Sequence, residues 1–151
     1  MSGWNKICCA VDFSEESRFA MEEAAELASR SGGDLSLIHV VGEPRRHGSE
    51  PPYLSDVTRA RLGDVSRRIE EWRSEAERIA KRQVAASLLT GPAVEEILRF
   101  AREGRHDLIV LGTPGALGCE RTVFGSVAEG VTRRSPCSVL MARRRTARPE
   151  R

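Results

Sequence analysis

Asp12 and the residues of one glycine-rich stretch are the places in this chain where residue type and spacing could do chemistry. GTPGALGCERTVFGS, residues 112–126, follows directly on the apolar run DLIVL. Two residues separate Gly112 from Gly115, and nine more separate Gly115 from Gly125-Ser126. Glycine serves where backbone must turn left-handed or approach something closely. A helix opening at Gly125-Ser126 would aim unpaired N–H groups, and the positive end of its dipole, at whatever lies before it. The Ser126 hydroxyl adds one more donor. A nucleotide phosphate suits such a cradle. Yet a Gly that ends a strand and a Gly-Ser that opens a helix serve equally well as packing devices, and the residues alone leave both readings open.

The familiar phosphate loops are excluded, because neither Gly-Lys-Ser/Thr nor GxGxxG occurs anywhere in the chain. Phosphoryl transfer also needs a positioned base and charge clamps, and no convincing set exists. Glu120, Arg121 and Glu129 read as solvated loop or helix residues, and His39 as a satisfied core or edge histidine in a strand pattern. His47 and His106 fall in loops with no third group at ligand or triad spacing. The chain reads as a binder, not an enzyme.

The elements that would position these residues alternate in type. KICCAV (6–11), LSLIHVV (35–41), VAASLL (84–89), DLIVLG (107–112) and SVLMA (138–142) are short apolar runs of strand character. Between them lie helical patterns. Ser14 is a helix N-cap with Glu15 and Glu16 in the first turn, and Gly32-Gly33 is the stop. A long charged helix carries one apolar stripe of Leu62, Val65, Ile69, Trp72, Ala76 and Ile79. Pro92 opens a third helix that Gly104 ends, and a short fourth runs over Gly125–Arg134. Strands alternating with helices give an α/β fold with a mostly parallel sheet. In such sheets ligands bind beyond the carboxyl ends of the strands, where Asp12, Val40-Val41 and the 112–126 stretch would meet.

Composition bounds the rest. A chain of 151 residues with 30% charged and 5% aromatic residues is one soluble domain with a small aliphatic core. A net charge of +2 is too small to imply a nucleic-acid partner. Residues 1–143 are expected to form the domain, and 144–151 a basic, disordered tail. No run approaches the roughly 20 apolar residues of a membrane helix, and MSGWNKICCAVDF lacks the features of a signal peptide. The cytoplasm is the expected compartment. The four cysteines show no CxxC spacing, so Cys8, Cys9 and Cys137 read as small buried hydrophobes, while Cys119 in the glycine stretch reads as open to solvent.

Gly112-x-x-Gly115, nine residues, then Gly125-Ser126 resembles the G-2x-G-9x-G-(S/T) pattern of the ATP-binding branch of the universal stress proteins. AVDFSEES, HVV and GSVAEGVTRRSPCSVLMAR resemble that family's first strand and turn, second strand end, and last helix and strand. The resemblance covers almost the whole chain. It implies a five-stranded sheet in order 3-2-1-4-5 with helices on both faces, and ATP as the ligand, with Mg²⁺ or Mn²⁺ held mainly by the phosphates. Ala10, Val11 and Val40 would line the adenine slot, and Asp12 would meet the ribose or adenine. Leu111, Gly112 and Gly115 would run along ribose and phosphates, and Gly125, Ser126 and Val127 would hold the terminal phosphates. Pro114 and Ala10-Val11 depart from the residues found in many members, removing a loop N–H and a hydroxyl near the base. The resemblance further implies a nucleotide-dependent regulator and a homodimer joined through the last strand at Val139 and Met141. Slow ATP hydrolysis and a nucleotide-free scaffold are the competing expectations.

Overall fold

The computed structural model describes residues 3–42, 53–113 and 125–144. Gly115, Pro114, Cys119 and the tail from Arg145 onward lie outside them. The chain runs β1 (Lys6–Ala10), α1 (Glu15–Ser31), β2 (Asp34–Val41), α2 (Tyr53–Ala80), β3 (Val84–Thr90), α3 (Ala93–Glu103), β4 (Leu108–Gly112), α4 (Ser126–Arg134) and β5 (Ser138–Ala142). The five strands form one sheet in the order β3-β2-β1-β4-β5, every neighbouring pair parallel. Side chains alternate across a strand, so consecutive residues of β1 serve different cores. Ile7 and Cys9 join Leu35, Leu37, Leu108 and Val110 under α1 and α2. Cys8 joins Ile38, Ile109 and Leu111 under α3 and α4. A sheet covered on both faces has no use for polar alternation, which is why β4 is apolar throughout.

The helix ends follow from their residues. Ser14 caps α1 by accepting the Ser17 N–H at 3.2 Å. Gly32 closes it in the left-handed region (φ 72), its N–H donating to Ala28 O at 2.9 Å. Gly104 closes α3 without turning left-handed (φ −80). Its glycine identity has another reason: a Cβ there would lie 2.4 Å from the His106 ring. Gly130 lets α4 come close to α3, since its Cβ would fall 2.8 Å from Val94 Cγ2.

Two expectations are corrected. The stripe on α2 is buried only over its second part, with Ile69, Trp72 and Ala76 inside and Leu62 39% exposed. Cys137 is half-buried, unlike Cys8 and Cys9. Burial pushes the Cys9 thiol up to about 12, so it stays protonated and inert.

Candidate functional site

β1 occupies the middle of the sheet, with β2 and β4 on either side. The chain leaves β1 and β4 for opposite faces, and a crevice opens at their carboxyl ends. One wall of it is the exit of β1. The Val11 N–H donates to Ile38 O at 2.8 Å, which continues the ladder one residue past the strand. The Asp12 N–H donates to Ser17 Oγ at 3.2 Å. The Asp12 carboxylate accepts from the Ser14 N–H at 3.0 Å and from the Ser14 hydroxyl, both on Oδ1. Asp12 is therefore not the cap of α1; it orients the residue that is. Burial raises its pKa, but the Ser14 hydroxyl and N–H outweigh that, and the carboxyl stays below its ordinary range.

Between Asp12 and Ser14, Phe13 has φ 65, a left-handed backbone that costs an ordinary side chain about 1–2 kcal/mol. Its ring repays this through contacts. The His39 ring lies 4.6 Å away, the Trp72 ring meets it edge-on at 5.2 Å, and the Arg68 guanidinium sits 4.6 Å above it. His39 in turn donates from Nδ1 to Val11 O at 2.7 Å, because a carbonyl can only accept.

The opposite wall is the exit of β4 and the start of α4. Thr113 is buried and its N–H donates to Ala142 O at 3.2 Å, extending the pairing with β5. At Gly112 a Cβ would lie 2.4 Å from Glu16 O, so the first turn of α1 itself requires glycine there. Gly125 differs. Its backbone (φ −56, ψ 153) suits any residue, no described side chain caps α4, and no described atom lies within 4 Å of a Cβ built on it. The first helical bond described in α4 runs from the Glu129 N–H to Gly125 O, at 3.0 Å. The N–H groups of Ser126, Val127 and Ala128 thus have no partner inside the helix.

Between these walls lies a cavity of about 400 Å³, within the size range of small-molecule sites. Nine of the ten residues expected at the site line it: Ala10, Val11, Asp12, Val40, Leu111, Gly112, Gly125, Ser126 and Val127. Gly115 lies outside the described residues. Sequence reasoning missed Ser14, Glu16 and Ser17 from α1, His39 from β2, and Ala93, Ile97 and Ala128 from α3 and α4. Ile97 read as one more apolar helix residue. The available signal was Pro92, which starts α3 just beyond β3 and so brings its first turn to the same end of the sheet.

The cavity is mostly apolar, with Asp12 and Glu16 at the α1 side and the first turn of α4 opposite. Among the described residues no three His, Cys, Asp or Glu side chains gather as a metal site, and no helix is long and apolar enough to cross a membrane. His106 belongs to the far end of the sheet. It is 8% exposed, stacks on Phe100 at 5.1 Å, and its Nδ1 has no partner among the described residues. This arrangement can hold an elongated ligand with an apolar ring and an anionic end.

The model of the universal stress protein family matches residues 3–143. A universal stress protein of Methanocaldococcus jannaschii is 30% identical over 149 residues, covering 93% of this chain and 83% of the relative. The solved structure of a universal stress protein from Lactobacillus plantarum superposes with a TM-score of 0.83 at 24% identity, covering 95% of this chain and all (100%) of that one. Another, of a universal stress protein in complex with cAMP, gives 0.70 at 20% identity, covering 94% and 98%.

Proposed function

This chain belongs to the universal stress protein family, and we propose that it binds ATP in the cleft between β1 and β4 as a dimeric, nucleotide-dependent regulator. The start of α4 carries the reading. There a helix N-terminus with no side-chain cap among the described residues stands behind a glycine that neither backbone strain nor any described neighbour requires. Oriented N–H groups with no described neighbour in front of Gly125 suit a phosphate chain. Val40, Ile97 and Leu111 supply apolar walls for a base, and Asp12 faces the same cavity from β1. Mg²⁺ or Mn²⁺ would enter with the phosphates, which supply the oxygen ligands these ions prefer. The protein's own part, in this reading, is to bind and orient the nucleotide.

The edge strand β5 has one neighbour, β4, and its outer backbone groups invite pairing. Val139 and Met141 pack partly against the α3–α4 side, while Leu140 is 36% exposed on the other. A two-fold contact along this edge would cover Leu140 as well as the two residues expected from the sequence.

Thermal unfolding with and without millimolar Mg-ATP tests the nucleotide reading, with AMP, cAMP and GTP as comparators. Ligand at about 100 times its dissociation constant adds roughly 2.7 kcal/mol, a rise of several degrees for a domain of this size. The rise should vanish in Gly125→Val. No rise with any nucleotide would leave the scaffold reading in its place.

A further inference from the structure

Phe13 shares a left-handed backbone with Lys81 and Arg105 among the described non-glycine residues, and it is the aromatic one of the three. It lies inside the turn that carries Asp12 into the cleft, yet its ring points away to α2. Four groups from three other elements surround or extend that ring: His39 of β2, Trp72 and Arg68 of α2, and Arg18 of α1, whose guanidinium sits 4.7 Å over Trp72. A left-handed aromatic residue persists only where its surroundings determine it. The consequence falls on its neighbours in the chain. With Phe13 at φ 65, the Ser14 N–H and hydroxyl both reach Asp12 Oδ1. That turn uses one of the two carboxylate oxygens and fixes the other. His39 holds the preceding residue through Val11 O, so β2 and α2 grip the turn from both sides.

We propose that Phe13 is a positioning residue of the cleft: the ring clamp of His39, Trp72 and Arg68 holds its left-handed backbone, and that backbone sets the Asp12 carboxylate against the bound ligand. Asp12 is thereby made answerable to α2, a helix of which no described residue lines the cavity. The ligand side of this inference rests on the nucleotide reading; the geometry of the turn does not.

Phe13→Gly accepts the left-handed backbone without strain but deletes the ring, and Phe13→Tyr keeps both. Two measurements separate the outcomes. In ligand-free protein, carbon-detected NMR titration of the Asp12 carboxyl should show a low pKa in the parent chain and in Phe13→Tyr, returning to the ordinary range in Phe13→Gly. Calorimetry with Mg-ATP should show about a tenfold weaker affinity in Phe13→Gly, the worth of one charged hydrogen bond, and no further loss when Asp12→Ala is added. Should Phe13→Gly fail to fold, Arg68→Ala removes only the exposed outer member of the clamp and should move both readouts the same way, by less. A parent-like Asp12 titration in Phe13→Gly, or in Arg68→Ala where that variant stands in, overturns the inference whether or not nucleotide binds. A shifted titration with no nucleotide bound by the parent chain supports the clamp and overturns the nucleotide reading alone.

Discussion

Gly112 and Gly125 belong to one sequence pattern, yet the protein treats them in opposite ways. At Gly112 the carbonyl of Glu16 occupies the place a Cβ would need, 2.4 Å away. The helix α1 begins so close to β4 that only glycine fits, ligand or no ligand. At Gly125 nothing described stands within 4 Å and the backbone is ordinary. The first glycine is explained by the fold, whereas no described residue supplies a reason for the second. On the proposed reading one motif mixes a residue that builds the site with one that leaves room for its occupant, and a substitution at each tests the distinction.

The largest effect is expected at Gly112. Gly112→Ala drives a methyl into backbone that cannot swing aside, and should cost about 3 kcal/mol in urea denaturation, equally with and without nucleotide. A cost below 1 kcal/mol would mean that α1 yields there and that the contrast is false. Gly125→Ala should behave in the reverse manner. Restricting the unfolded chain should stabilise the fold by about 0.5 kcal/mol, while Mg-ATP affinity falls about tenfold, or 1.4 kcal/mol, by calorimetry. A variant that binds as tightly as the parent would reduce Gly125 to a packing device.

The smallest effect extends the comparison to Gly104, whose missing Cβ makes room for the His106 ring. Burial lowers the pKa of His106, and the Lys6 charge adds to the effect. The folded protein thus resists protonating a group that the unfolded chain protonates near its ordinary 6.5. Stability should be unaffected by this group above that value. It should fall as pH drops from there toward the depressed folded value, since the unfolded state then binds more protons. Urea midpoints at pH 7.5 and 5.5 should differ less in His106→Phe than in the parent chain.

Much of the architecture was legible because strand runs and helix caps are local signals. KICCAV and DLIVLG name buried strands by themselves, and Ser14 caps the helix where it was expected. The strand order was available only through the family resemblance, and the sheet has that order. Contacts between distant segments left no local trace. Nothing in the sequence near Gly112 points to Glu16, and nothing in AVDFSEES says that Phe13 turns left-handed toward Trp72. The α2 stripe was readable as a face, but how far the sheet reaches beneath it was not, so Leu62 was grouped with Ile69 although one is exposed and the other buried. Sequence periodicity gives the direction a side chain points, whereas burial depends on what the rest of the chain puts there.

The contact between Gly130 and Val94 has a mechanical consequence. The first turns of α3 and α4 both border the cleft, and these helices touch where a single hydrogen stands in for a side chain. Any larger group at position 130 would act as a wedge, prising the two helix starts apart. The spacing of two helix starts at the rim of the cavity is thus set by a residue that does not line it.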